Sequence, residues 1–102
     1  MDITFPTTPE AFIAYQEHLM GTPANEQQIL LCEATVGLFN KAFEDGQEGR
    51  ELPDIGGDFI TACRRDAKED LLTDKNVLHI VASVCWWCEE AYRQGKEAAK
   101  HG

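Results

Sequence analysis

The stretch VLHIVASVCWWCEEAYRQGKEAAK, residues 77–100, has the longest uninterrupted helical period in the chain and decides the fold. Wound at about 100° per residue, it places apolar side chains on one half of a cylinder and charged side chains on the other. The apolar half holds Val77, Ile80, Val81, Val84, Cys85, Trp87, Cys88, Ala91, Tyr92, Ala98 and Ala99, with Gly95 among them. This arrangement is typical of an amphipathic helix that closes a globular core. Thr73 and Asp74 are candidate N-caps, because their side-chain oxygens can accept first-turn N–H groups.

Trp86 breaks this pattern, because it projects at about 180° from Val77 into the polar half. His79 lies two turns before it, and Glu90 and Arg93 lie one and two turns after it. Tryptophan is among the residues most enriched at binding hot spots. Two interpretations stay open. Either another segment, such as the N-terminal arm, covers the ring, or these four residues form a surface that binds a partner or a second copy of the chain.

The composition predicts a single folded domain that spans residues 1–102. The chain has 102 residues, of which 43% are hydrophobic, and this is enough for one modest core. No apolar run approaches the ~18 residues of a membrane-spanning helix. The sequence begins with Met1-Asp2, without a basic region or a long apolar stretch, so we expect no signal peptide and a cytoplasmic location.

The charge is negative and unevenly distributed. The formal net charge is −9, and residues 1–40 contain five carboxylates but no lysine or arginine. Residues 44–58 add six carboxylates against Arg50 alone. Direct binding to nucleic acid or anionic lipid is therefore not expected, since phosphate contacts need clustered cations. The charge favours a basic protein partner, or it serves solubility alone.

Two threonine–proline pairs mark the starts of two helices before the last one. Threonine suits the N-cap and proline suits the first helical position. The pair at residues 8–9 starts a helix that Gly21 ends, and the pair at residues 22–23 starts one that Gly46 ends. The link between them is short, so we expect the two helices to run back against each other.

The segment GQEGRELPDIGG, residues 46–57, has four glycines and a proline and is predicted to be the one long loop. The fold class is therefore all-α: a small irregular bundle of four main helices with a short extended N-terminal arm at residues 1–6. The predicted helices cover residues 9–20, 24–45, 58–71 and 74–100.

Carboxylates on the second predicted helix and at its end form a second candidate binding surface. Glu26, Glu33, Asn40 and Glu44 follow each other at spacings of seven, seven and four residues on its polar side. A solvated face is the alternative interpretation. A carboxylate-bridged metal site in a bundle is a third, but the expected E-x-x-H pairing is absent. The candidate acidic binding residues are Glu26, Glu33, Glu44, Asp45 and Glu48.

The four cysteines are predicted to be reduced thiols in the core. Cys85 and Cys88 form a C-x-x-C pair, which is found in redox and zinc sites. Cys85 lies about three turns inside a helix, however, so it lacks the helix N-terminus that activates a redox thiol. Cys32 and Cys63 each lie on the apolar stripe of another helix. A buried four-cysteine cluster is compatible with a bundle, but the apolar pattern explains all four positions.

Nothing in the sequence resembles a catalytic centre. Ser83 is the only serine and lies in mid-helix, away from the sharp turn of a hydrolase nucleophile. His18, His79 and His101 have no neighbours that indicate a triad. The glycine-rich loop lacks the lysine and the preceding strand of a phosphate-binding loop. We therefore expect no enzymatic activity and no cofactor.

The sequence predicts a non-catalytic acidic binding module. The expected partner is a protein with a basic surface, which this chain covers as an inhibitor or adaptor. Where that surface is meant for nucleic acid, the carboxylates stand in for phosphates. The small size and the charge fit a phage-type or accessory regulator.

Two alternatives stay open. One is a homo-oligomeric structural protein, such as a homodimer, assembled through the Trp86 helix and the cations Arg64, Arg65 and Lys68. The other is a small metal-dependent enzyme that uses Glu or Cys clusters.

Overall fold

The computed structural model describes residues 5–101, without the side chain of His101, and confirms the all-α fold class. The described residues contain helices and turns and no strand. Of the predicted N-terminal arm, residues 1–4 lie outside the described residues, while Phe5 is buried with its ring centroid 5.9 Å from that of Phe43. The α-helices are α1 (Pro9–Met20), α2 (Glu26–Thr35), α3 (Gly37–Glu48), α4 (Ile55–Arg65) and α5 (Lys75–His101), and a 3-10 helix covers Glu69–Thr73.

Helix α5 is the central element, because it packs against α2, α3, α4 and the 3-10 helix. Its predicted inner face is buried, as Val77, Ile80, Val84 and Cys88 show. Phe12 of α1 and Phe39 of α3 meet this face and each other, edge to face, with 5.0 Å between ring centroids. The widest contact is between α5 and α3. The core therefore lies between the last helix and the elements that precede it.

The second predicted helix is present as two consecutive helices, α2 and α3, which meet at Val36. It begins at Glu26 and not at the threonine–proline pair, because Asn25 forms a reciprocal cap with Gln28. It also continues past Gly46 to Glu48, and the next residue, Gly49, has the left-handed conformation of a helix C-terminus, φ +72°. The prediction that Gly46 ends the helix is therefore wrong.

The predicted loop at residues 46–57 is reduced to residues 49–54, because helix covers both of its ends. Asp54 caps α4 by accepting a hydrogen bond from the N–H of Gly57 at 3.1 Å, so Gly56 and Gly57 are helical, as is Gly46 in α3. Helix α4 ends at Arg65, before the predicted residue 71, and a separate 3-10 helix follows it.

Of the two candidate caps of the last helix, Asp74 is the cap, whereas the hydroxyl of Thr73 donates a hydrogen bond to the carbonyl of Asp70 at 2.9 Å. Asp74 accepts hydrogen bonds from the N–H groups of Asn76 and Val77 at 2.9 and 3.3 Å. None of the helices in the described part of the chain combines the length and the apolar character that a bilayer crossing requires.

Candidate binding surfaces

Trp86 lies on the outer side of α5 with 55% of its surface exposed. No described segment folds over the ring, and Phe5, the described part of the predicted arm, lies against Phe43 instead. The indole meets the neighbouring Trp87 edge to face, with 4.7 Å between ring centroids. Of the two interpretations drawn from the sequence, the described residues favour the exposed ring.

A shallow cleft of about 310 Å³ runs beside Trp86, between α5 and the end of α1. Its walls come from Tyr15 and Leu19 of α1 and from His79, Ala82, Ser83 and Trp86 of α5. Leu19 is 47% exposed and Leu78, one turn before Ala82, is 42% exposed. We call Leu19, Leu78, His79, Ala82 and Trp86 the Trp86 surface. Neither leucine was predicted to belong to a surface. The spacing of Leu19 from Phe12 and Tyr15 indicated the inner stripe of α1, whereas Leu78 lies next to His79 on the outer side of α5.

Glu90 and Arg93, also predicted to lie near Trp86, bind each other. The Arg93 guanidinium donates to the Glu90 carboxylate and, at 2.7 Å, to Glu97. These hydrogen bonds from Arg93 lower the pKa of Glu90. Glu90, Arg93 and Glu97 lie at one end of the Trp86 surface. Because they pair with each other within α5, they leave no unpaired charge from this group for a partner.

The outer side of α2 carries exposed carboxylates around an exposed leucine. Glu26, Leu30 and Glu33 are all exposed, and spacings of four and three residues place them on one side of the helix. Leu30 is 59% exposed, the largest value among the exposed large hydrophobic residues of the described chain. Glu44 follows on α3, where it accepts a hydrogen bond from Asn40 at 3.3 Å. We call Glu26, Leu30, Glu33 and Glu44 the acidic face. Leu30 was not predicted, although its position between Glu26 and Glu33 on the polar side of the helical repeat was the available signal.

Asp45 does not belong to this face, and its prediction as a surface carboxylate is wrong. It is only 2% exposed and pairs with Lys41 Nζ at 2.9 Å and Arg50 Nε at 2.8 Å. Arg50 also binds Glu48, and its carbonyl accepts a hydrogen bond from the hydroxyl of Tyr92 on α5. The hydrogen bonds from Lys41 and Arg50 lower the pKa of Asp45. Asp45 therefore holds Arg50 in the chain after α3, whereas Glu48 is exposed and its ion pair with Arg50 contributes little.

The cysteines are free thiols, with Cys32, Cys63 and Cys88 buried and Cys85 half-buried. Desolvation by burial raises the pKa of Cys32 to about 11 and that of Cys88 to about 12, and it also raises the pKa of Cys85. A raised pKa disfavours the thiolate, so burial makes these three thiols weak nucleophiles. In the described part of the chain, no three His, Cys, Asp or Glu side chains are arranged to hold a metal ion.

A groove of about 340 Å³ separates α3 from α4. Leu38, Ala42, Leu52 and Phe59 give it apolar walls, and Asp58 lies at its edge. The sequence did not predict this groove, because its existence depends on the distance between α3 and α4 in the folded protein.

Comparison with protein-family models, with curated proteins and with solved structures found no match to this chain.

Proposed function

We propose that this protein is a non-catalytic binding module whose acidic face covers a basic surface of another protein. The proposal rests on the exposure of Leu30, which lies between Glu26 and Glu33 on the outer side of α2. A solvent-exposed leucine contributes little to the stability of the fold. Covering it with a partner would contribute about 25 cal/mol of binding free energy per Å² of apolar surface buried.

The charge around Leu30 supports a basic partner. Neither Glu26 nor Glu33 forms an ion pair with a described residue, and residues 5–40 contain no lysine or arginine. The ion pairs of the described chain lie after residue 40. Like charges without counter-charges create a negative potential that steers cationic surfaces toward them. The acidic face therefore combines an apolar contact with unneutralised carboxylates.

The class of partner follows from this charge. Basic protein surfaces commonly serve nucleic-acid binding, and two carboxylates two helical turns apart, about 10.5 Å, can occupy cation sites meant for phosphates. The role is that of an inhibitor or adaptor, which fits a phage-type or accessory regulator.

The test is capture of basic proteins from the heparin-retained fraction of a cell lysate on the immobilised chain. We compare wild type with E26K/E33K, which reverses two charges of the acidic face, and with L30S. The matched control, E69K/D70K, makes the same change in net charge at the exposed start of the 3-10 helix. We expect E26K/E33K and L30S to lose capture and the control to retain it. We also expect duplex DNA and added salt to release the captured protein.

Equal losses in E26K/E33K and E69K/D70K would reduce the effect to net charge and contradict a defined face. Capture that high salt leaves unchanged would contradict charge-led binding. The alternative of a metal-dependent enzyme gains no support from the donor arrangement described above. Elemental analysis of the purified protein for zinc, iron and manganese tests it directly.

A further inference from the structure

The outer side of α5 carries an exposed stripe centred on Ala82. At about 100° per residue, eight residues between positions 75 and 93 fall within about 60° of the Ala82 direction. Cys85 is half-buried, and the other seven are exposed. The exposed residues are Lys75, Leu78, His79, Ala82, Trp86, Glu89 and Arg93.

Residues of matching chemistry lie at equal distances on either side of Ala82. Leu78 and Trp86 lie four residues, about 6 Å, on either side of it, and Lys75 and Glu89 lie seven residues, about 10.5 Å, on either side. Reversing the helix about Ala82 therefore brings an apolar residue to an apolar residue and a cation to an anion. A second copy of the chain offers this reversed stripe.

We propose that two copies of the protein associate through α5, antiparallel, with Ala82 at the twofold axis. In this arrangement Leu78 of each copy packs beside Trp86 of the other, and Lys75 of each copy faces Glu89 of the other. Ala82 allows the two helices to approach within the usual 8–10 Å or so of packed helices. A parallel pair would instead place Lys75 against Lys75 and Glu89 against Glu89, which disfavours it.

The charged ends of the stripe are available for this contact. Neither Lys75 nor Glu89 forms an ion pair within residues 5–100, in contrast to Arg93, which is satisfied by Glu90 and Glu97. Exposed pairs contribute little affinity, but they select the orientation in which the two copies meet. The affinity comes from Trp86 and Leu78, and the small contact makes the dimer weak and dependent on concentration.

The salt dependence of binding distinguishes this dimer contact from the contact proposed for the acidic face. Each copy carries a net charge of −9, so two copies repel each other at low ionic strength. Salt screens this repulsion and leaves the apolar contact intact. We expect the dimer to persist or strengthen as salt is raised, whereas binding of a basic partner weakens.

The test is sedimentation equilibrium of the full chain up to millimolar concentration, in moderate and high salt. Wild type is expected to show a monomer–dimer equilibrium. We expect W86A to weaken it by at least about tenfold, because each dimer loses two buried indoles. L30A is the matched control, because Leu30 on α2 has a similar exposed fraction to Trp86, and it is expected to dimerise like wild type.

A charge swap tests the antiparallel arrangement. K75E and E89K each create a like-charge contact in the dimer and are expected to weaken it, and K75E/E89K is expected to restore it. K75E also places a carboxylate in the first turn of α5, where the helix dipole favours it, so the monomer stays folded. A chain that stays monomeric at millimolar concentration overturns the proposal. Dimers that W86A leaves unchanged, or a double swap without recovery, also overturn it.

Discussion

Gly46 and Gly95 face each other where α3 crosses α5, and each leaves space that the opposite backbone fills. A Cβ on Gly46 would overlap the carbonyl oxygen of Tyr92 and lie 3.0 Å from the nitrogen of Lys96. A Cβ on Gly95 would overlap the carbonyl oxygen of Phe43 and lie 3.1 Å from the nitrogen of Gln47. Backbone atoms cannot move aside as a flexible side chain can, so this crossing fixes how closely the two helices pack.

Substituting either glycine with alanine is therefore expected to force the two helices apart. G46A and G95A should each lower the free energy of unfolding by about 3 kcal/mol or more, at the upper end of the range for overpacking. Urea denaturation monitored by circular dichroism measures the change. The double variant should cost less than the sum of the two, because the first substitution already opens the crossing.

Gly37 provides the control for this prediction. A Cβ on Gly37 meets no atom within 4 Å, and its residue lies at the first position of α3. G37A should leave the free energy of unfolding unchanged or raise it by up to about 1 kcal/mol, since alanine restricts the unfolded chain. A loss in G37A as large as that in G95A would show that helix geometry, and not the crossing, sets the cost.

Replacing Asp45 with asparagine is expected to destabilise the protein in a manner that depends on pH. Asp45 has a lowered pKa in the folded protein, because Lys41 and Arg50 bind its carboxylate. Its contribution to stability is thus complete above the unfolded pKa of about 3.9 and is lost as the pH falls through the lower, folded value. The difference between D45N and wild type in urea denaturation should be constant near neutral pH and shrink below about pH 4. D70N, at an exposed position, is the control and should show a much smaller difference.

The start of α2 offers a test of its cap. Because Asn25 binds Gln28 reciprocally, N25A should lower the free energy of unfolding by about 1 kcal/mol. T22A should change it by less than about 0.5 kcal/mol, although the sequence pattern marks Thr22 as the cap. Thermal unfolding of both variants separates the two assignments, and equal losses would contradict the cap at Asn25.

The thiols are expected to resist modification in the folded protein. Burial raises the pKa of Cys88 to about 12 and that of Cys32 to about 11, so little thiolate forms at neutral pH. A thiol-specific chromogenic reagent should react with Cys85 alone, slowly, and with all four cysteines after unfolding in denaturant. Removal of the slow phase in C85S is the control. Fast reaction of two or more thiols in the native state would contradict the burial described here.

Helical periodicity predicted the parts of the fold that depend on local pattern. The inner face of α5, its cap at Asp74 and the outward direction of Trp86 follow from a 3.6-residue repeat and the preference of aspartate for N-caps, whereas the repeat left open whether another segment covers the indole. The sequence could not decide whether Gly46 ends a helix or lies inside one. A glycine does either, and the choice depends on whether another helix, here at Gly95, comes close enough to need the missing Cβ.

The candidate surfaces likewise include residues that local pattern could predict and residues whose position depends on tertiary contacts. The position of Trp86 was visible because a single indole broke an otherwise regular pattern. The burial of Asp45 was not visible, because its two cations come from different places in the chain, Lys41 one turn before it and Arg50 beyond the end of α3. A count of carboxylates gives the charge of a surface only after such internal pairs have been removed.

Trp86 and Trp87 are consecutive in the chain, yet one indole is mostly wet and the other lies inward, with its ring 5.4 Å from that of Tyr15. The protein therefore carries two different fluorophores: an exposed indole with longer-wavelength emission that an aqueous quencher reaches, and a half-buried indole with shorter-wavelength emission that it reaches less. A molecule that binds to the outer side of α5 over Trp86 is expected to shift the emission of this indole to shorter wavelength and to shield it from the quencher. An encounter on that helix can thus be recorded optically in the unlabelled protein.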